Sequence, residues 1–182
     1  MRRIAVLSVG VLAVGLVGPS SALAAEAPGD GGDRWIAVED NFAIVLANGE
    51  TFTEDEPPMG EEPEAIPVGT RLFISEALYA TEDGATRGDE VGRTHIECTA
   101  QVVADNLLCD IAFVFDEGSQ LHGTVHVDFS AQSPTEPVQF DIAVTGGTGD
   151  YSRASGQVSL LDITDVDDPA AAVTTLYEAD LD

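Results

Sequence analysis

The sequence of 182 residues carries 33 Asp plus Glu against seven Arg and no Lys, a formal net charge of −26. Such a charge repels nucleic acid and anionic lipid, so neither is an expected partner. A hydrophobic content of 44% is too high for an acidic disordered tail and leaves a globular chain of one-domain length.

The first segment reads as an export address. Arg2 and Arg3 form a positive n-region, Ile4–Val17 an apolar stretch broken by Gly10 and Gly15, and Ala22-Leu23-Ala24 a small-x-small cleavage site. The apolar run is shorter than the ~20 residues of a spanning helix, so cleavage before Ala25 is favoured over a membrane anchor. Residues 1–24 are therefore expected to be a signal peptide, and the mature protein to be secreted. Ala25–Asp33 reads as a flexible Gly/Asp-rich spacer, and residues 34–182 as a single β-domain.

Trp35–Ala47 reads as one long or two short β-runs ending at the turn signal Asn48-Gly49. Residues 54–64 form a Pro-rich loop with six acids, expected to be irregular. From there β-runs recur at Thr70–Ala77, Arg93–Val103, Leu108–Asp116, Gln120–Phe129, Val138–Thr145, Gly156–Ile163 and Val173–Glu178. No stretch keeps a helical period, and crossover helices have no room. Eight or nine antiparallel strands result, closed as a barrel or stacked as a sandwich.

Alternation assigns the faces. Ile96, Cys98 and Ala100 oppose His95, Glu97 and Thr99; Cys109, Ile111, Phe113 and Phe115 oppose Asp110, Ala112 and Val114; Leu121, Gly123, Val125 and Val127 oppose His122, Thr124 and His126. One apolar face per strand implies one packed interior. Cys98 and Cys109 share that face on neighbouring runs, so a cross-strand disulfide is expected in an oxidising compartment. A thiol metal site or nucleophile is the weaker reading, because no Cys-x-x-Cys spacing is present.

Other constellations carry less chemistry. Gly146-Gly147-Thr148-Gly149 is followed by a strand rather than a helix and reads as a hairpin turn, not a phosphate loop. His122 and His126 lie about 13 Å apart along an extended strand, too far to share one metal ion. Asp162, Asp165, Asp167 and Asp168 crowd a turn, but their spacing matches no calcium loop. No cofactor or metal is expected.

One stretch is more specific. Ala143-Val-Thr-Gly-Gly-Thr-Gly-Asp-Tyr-Ser-Arg-Ala-Ser-Gly-Gln-Val158 resembles the hallmark segment of the allene oxide cyclase barrel family and of the related dirigent proteins. Ile74-Ser-Glu-Ala-Leu-Tyr79, Val91-Gly-Arg-Thr-His-Ile-Glu-Cys98 and His122-Gly123 resemble further family strands, in family order, over Thr70–Ile163. The resemblance is to a secreted, bacterial-type member. It implies an all-β fold, an eight-stranded antiparallel β-barrel of allene oxide cyclase/dirigent type, with an apolar lumen and often a homotrimeric assembly.

The resemblance also implies site residues. Plant cyclases use a lumen Glu and Asn on the first strand and a Tyr. Asn48 matches the Asn, but Leu46 then stands for the Glu and Val125 for the Tyr; a different register would place Glu39 and Asn41 there. These departures speak against plant-type allene oxide cyclisation. Glu76 matches a polar family position, and alternation independently puts it with Leu72 and Ile74. In an apolar lumen its pKa would rise, as suits acid–base work or a hydrogen bond to ligand; at a barrel rim it would be solvated.

The expected pocket comprises Leu72, Ile74, Ile96, Phe113 and Val125, with Glu76 as candidate catalytic group and Asn48 as a weaker one. The small residues Ala100 and Gly123 on the same faces are expected to leave space there. The expected partner is a small apolar substrate, steered through cyclisation or coupling in an isomerase-like role. The alternative is non-catalytic binding of an apolar ligand or a cell-surface partner.

Overall fold

The computed structural model describes residues 33–53, 66–103, 106–129, 137–168 and 170–182. The expected signal peptide, all of the spacer but Asp33, and the acidic loop 54–64 lie outside the described residues. Nine strands follow in chain order: β1 (Arg34–Val45), β2 (Thr51–Thr53), β3 (Arg71–Ala80), β4 (Glu90–Ala100), β5 (Asn106–Phe115), β6 (Gln120–Asp128), β7 (Gln139–Thr148), β8 (Gly156–Asp162) and β9 (Thr174–Leu181). Among the described residues there is no α-helix; a 3-10 turn spans Gly149–Tyr151.

Consecutive strands from β3 to β9 pair antiparallel; β1 pairs with β3 on one edge and β9 on the other. The sheet therefore closes as an eight-stranded barrel of β1 and β3–β9. Short β2 is an extra, folded back on the end of β1 at Val45↔Thr51. Antiparallel neighbours need only tight turns, so a chain without helices can close this way.

β1 is one long strand with a bulge. Glu39 pairs with Glu76 and Asn41 with Ser75, so Asp40 is the extra residue. The bulge shifts the alternation by one. Trp35 and Ala37 before it and Phe42 after it are thereby all buried, while Asp40 and Asn41 are exposed.

One end of the lumen is filled by aromatic rings. Trp35 lies 5.7 Å from Phe113 and 5.3 Å from Phe115 between ring centroids, and Phe113 meets Tyr177 edge-on at 5.1 Å. These rings converge from β1, β5 and β9, and each such pair adds about 0.5–1.5 kcal/mol beyond burial.

Two glycines show why the barrel packs as it does. At Gly123 a Cβ would come 2.4 Å from Ile142 Cγ2, so β7 presses its isoleucine into the place a side chain would occupy. The expectation that Gly123 leaves space for a ligand is thus corrected: Ile142, itself fully buried, fills it. Gly149, at φ +61°, opens the 3-10 turn, where a Cβ would lie 2.4 Å from Ser119 Oγ. That hydroxyl accepts the Asp150 N–H at 3.1 Å and docks the β7–β8 turn onto the β5–β6 hairpin. The Gly-Gly-Thr-Gly run ends β7 and begins this turn; it is structural.

Cys98 and Cys109 are directly opposed on β4 and β5 and form a disulfide. Native protein should show no alkylatable thiol before reduction, checked by intact mass. Replacing both cysteines by Ala should cost about 2–3 kcal/mol in denaturant unfolding. Gly123→Ala should destabilise by about 1–3 kcal/mol through overpacking. In a double-mutant cycle, Ile142→Ala should be less costly in the Gly123→Ala background, because the new methyl enters the volume it vacates.

Candidate functional site

The remainder of the lumen holds a narrow cavity of about 80 Å³. Its lining runs from Glu76, Thr175 and Tyr177 at mid-barrel to Ile66, Phe129, Val138 and Val173, where β3, β7 and β9 begin. The aromatic plug blocks the other end. The walls are almost entirely apolar, with Leu72, Ile74, Ile96, Ile111, Val125 and Val127 among them and the Cys98–Cys109 bridge exposed to the cavity.

A polar cluster lies at the inner end. Glu76 is 3% exposed. The Tyr177 hydroxyl donates to Glu76 Oε2 at 2.9 Å, Thr94 Oγ1 donates to the same oxygen, and Thr175 Oγ1 donates to Oε1 at 3.4 Å. Thr94 and Tyr177 are fully buried, and Thr175 is nearly so. Strand geometry explains the convergence: Thr94 is the direct partner of Glu76 across β3–β4, and Thr175 and Tyr177 are successive inward residues of β9.

Burial dominates the protonation of Glu76. Removal from water raises its pKa; the hydrogen bonds from Thr94, Tyr177 and Thr175 oppose this, and the charge of Asp40 adds to it. The net direction is upward. A carboxyl kept neutral retains one O–H donor to offer a ligand. The Tyr177 phenol is held well above its ordinary range by burial first, then by the charge and hydrogen bond of Glu76. It serves as a hydrogen-bonding group, not a phenolate.

The sequence-derived residues divide. Glu76, Leu72, Ile74, Ile96 and Val125 all line the cavity. Phe113 lies beneath it in the plug, packed on Trp35 and Tyr177, so it closes the pocket rather than lining it. Asn48 is displaced altogether: it occupies the exposed β1–β2 turn, where its Oδ1 accepts the Glu50 N–H at 2.9 Å. β1 ends at Val45, before Asn48 is reached; within β1 Glu39 keeps the inward phase of Trp35 and Ala37, and the bulge at Asp40 turns Asn41 outward. Glu39 thus lines the lumen, whereas Asn41 lies on the outside.

Thr94, Thr175 and Tyr177 are functional candidates that sequence reasoning missed. Thr94 shares the phase of Ile96 and Cys98, recognised as inward from the sequence, whereas no faces are assigned from the sequence on the last strand, where Thr175 and Tyr177 alternate inward with Ala179. A polar residue in an apolar phase was the available signal. Asp165 and Asp168 cap their own turn, accepting the N–H of Asp167 at 3.0 Å and of Ala170 at 2.9 Å. Among the described residues no three His, Cys, Asp or Glu side chains converge as a metal site would require.

No family model and no curated protein matches the sequence. Among solved structures, the chain is similar to the pterocarpan synthase dirigent protein GePTS1, with 17% identity over 81% of this chain and 84% of that one, at a TM-score of 0.51. It also matches the pterocarpan synthase dirigent protein PsPTS1, with 18% identity over 79% of this chain and 92% of that one, at a TM-score of 0.47. At these identities the likeness is one of fold. The chain has a dirigent-type barrel.

The raised pKa of Glu76 makes a signed prediction. Because the folded state holds the proton more tightly than the unfolded state, its stabilising effect is greatest below about pH 4.5 and is lost as pH rises toward the folded value. Glu76→Gln cannot titrate. Its Tm minus that of wild type should become more positive between pH 4 and pH 8. A flat or falling difference would contradict the assignment.

Proposed function

We propose that this is a secreted barrel protein that takes a small apolar molecule, or the apolar end of a larger one, into its lumen and steers its cyclisation or coupling. The observation that carries this reading is the buried Glu76 carboxyl, clustered with Tyr177, Thr94 and Thr175 at the inner end of an otherwise apolar cavity. Burying a carboxyl costs free energy, and a fold that needed only stability would favour an apolar residue there. In this role the cavity walls select one conformer, and Glu76 donates a hydrogen bond or proton to a polar atom on it. The likeness to proteins described as pterocarpan synthases supports a lumen that guides ring formation. Secretion is supported by the disulfide, which suits an oxidising compartment. Assembly as a homotrimer belongs to the same proposal.

A second reading is a non-catalytic binder. Two observations favour it: the cavity is only about 80 Å³, and both oxygens of Glu76 already have hydroxyl partners.

Uncharged Nile red tests the shared premise. Its fluorescence should rise on binding, and Val125→Trp, which fills the cavity wall, should weaken binding by about tenfold, a loss of roughly 1.4 kcal/mol. Binding unaffected by that substitution would place the probe outside the lumen and defeat the reading. With an allene oxide fatty acid, the cyclopentenone should form without enantiomeric excess, since Asn41 and Asn48 both lie on the outside. A single enantiomer on chiral chromatography would overturn that expectation.

A further inference from the structure

The ladder between β6 and β7 is unfinished. It runs from Gln120↔Thr148 to Thr124↔Ala143 and stops, although both strands continue. Val125–Asp128 stay paired to β5 as far as Asn106↔Asp128, and Gln139–Ile142 to β8 as far as Gln139↔Leu161. Two strand edges of four residues each therefore face one another with no cross-strand pair between them. At the other ladders of the barrel one strand ends where the pairing ends. The cause lies in β7. Its pairing jumps from His122↔Gly146 to Gly123↔Val144, so Thr145 is a bulged residue that bends the strand. Ile142, the first residue past the ladder, then presses over Gly123.

We propose that this slit is the entrance to the lumen, through which an apolar molecule passes sideways between β6 and β7 with Phe129 and Phe140 as the gate. The inference rests on the lumen-binding reading above and supplies its route of entry. The two rings meet edge-on across the slit, 6.1 Å between centroids, and both line the cavity together with Val127 and Val138. Both are only partly buried, so they offer an apolar path through an acidic exterior. Parting any paired strands would break ladder hydrogen bonds and leave their donors and acceptors unsatisfied in a dry wall. Parting β6 from β7 here separates side chains alone. Folds ordinarily close such edges, because unpaired strands invite aggregation; an entrance is a use that keeps one open. Gating of this kind, by a local opening that leaves the scaffold intact, controls access to many enclosed sites.

The test locks the slit. His126 and Asp141 are exposed on its outer side and would face each other if the register of Thr124↔Ala143 continued. The chain's two cysteines are bonded to one another, so in His126→Cys/Asp141→Cys a short bismaleimide reacts with the introduced thiols alone, and intact mass confirms the bridge. Nile red loaded before bridging should be released on dilution at least about tenfold more slowly than from the same variant capped with N-ethylmaleimide. Dye added after bridging should associate more slowly by a similar factor. Phe129→Ala/Phe140→Ala, with β-sheet circular dichroism like that of wild type, should instead speed both release and association by about threefold or more. Release from the bridged protein as fast as from the capped control overturns the inference and leaves lumen binding intact, as do unchanged rates after removal of both rings. Nile red that does not bind wild type, or that binds regardless of Val125→Trp, refutes lumen binding itself, and entry through the slit with it.

Discussion

The hydrogen-bonded seam between β1 and β9 is the contact on which the rest of the structure depends. Five residue pairs, from Arg34↔Glu178 to Val38↔Thr174, join the first and last strands and turn an open sheet into a barrel. An open sheet of these strands would need a second layer to cover its apolar face, and no helix among the described residues supplies one. Closure makes the sheet its own second layer and removes the edges that would invite aggregation. It also carries Thr175 and Tyr177 of β9 to Glu76, about a hundred residues earlier in the chain.

An eight-stranded barrel has an interior that side chains can just fill, so the way it is filled decides whether a pocket remains. Here the filling is uneven. Large rings from β1, β5 and β9 pack one end solid, whereas medium aliphatic residues toward the other end leave a narrow cavity. Glu76 lies at the boundary between the two regimes. Its burial is tolerable because three hydroxyls surround the carboxyl and because the group can keep its proton. Packing and protonation are thus coupled: the plug that excludes water on one side is what raises the carboxyl pKa.

The outer face follows different rules. Its charged residues form exposed ion pairs such as Arg71 with Glu97 and Arg93 with Asp40, each of small energetic consequence. A shallow hollow of about 540 Å³ crosses β3 to β7 on this side, bordered by Ser75, His95, Asp110 and His122. His95 leans toward Ser75, and His122 toward Gln120, so the two rings make separate contacts. Among the described residues the acids therefore lie mainly on the outside, and Glu76 inside is set apart by its desolvation.

Much of the fold was legible in the sequence, because a strand's period of two is a local property. The apolar phase of β4, β5 and β6 identified the interior face, the Cys98–Cys109 opposition, and the place of Leu72, Ile74 and Glu76 on a single side. Turn chemistry at Asn48-Gly49 and Gly146–Gly149 marked where strands end. What the sequence could not determine were the features that depend on strands distant in the chain. A bulge inserts one residue without a local signature, so alternation alone puts Glu39 and Asn41 on one side of β1, whereas the folded strand sends them to opposite sides. Gly123 looks like empty space until β7 is beside it and Ile142 occupies that volume. Tyr177 looks like an ordinary core aromatic until closure brings its hydroxyl to Glu76. Local pattern determined which residues face inward; only the closed tertiary structure decided which of them meet, because contact between β3 and β9 is created by the seam and not by any spacing along the chain.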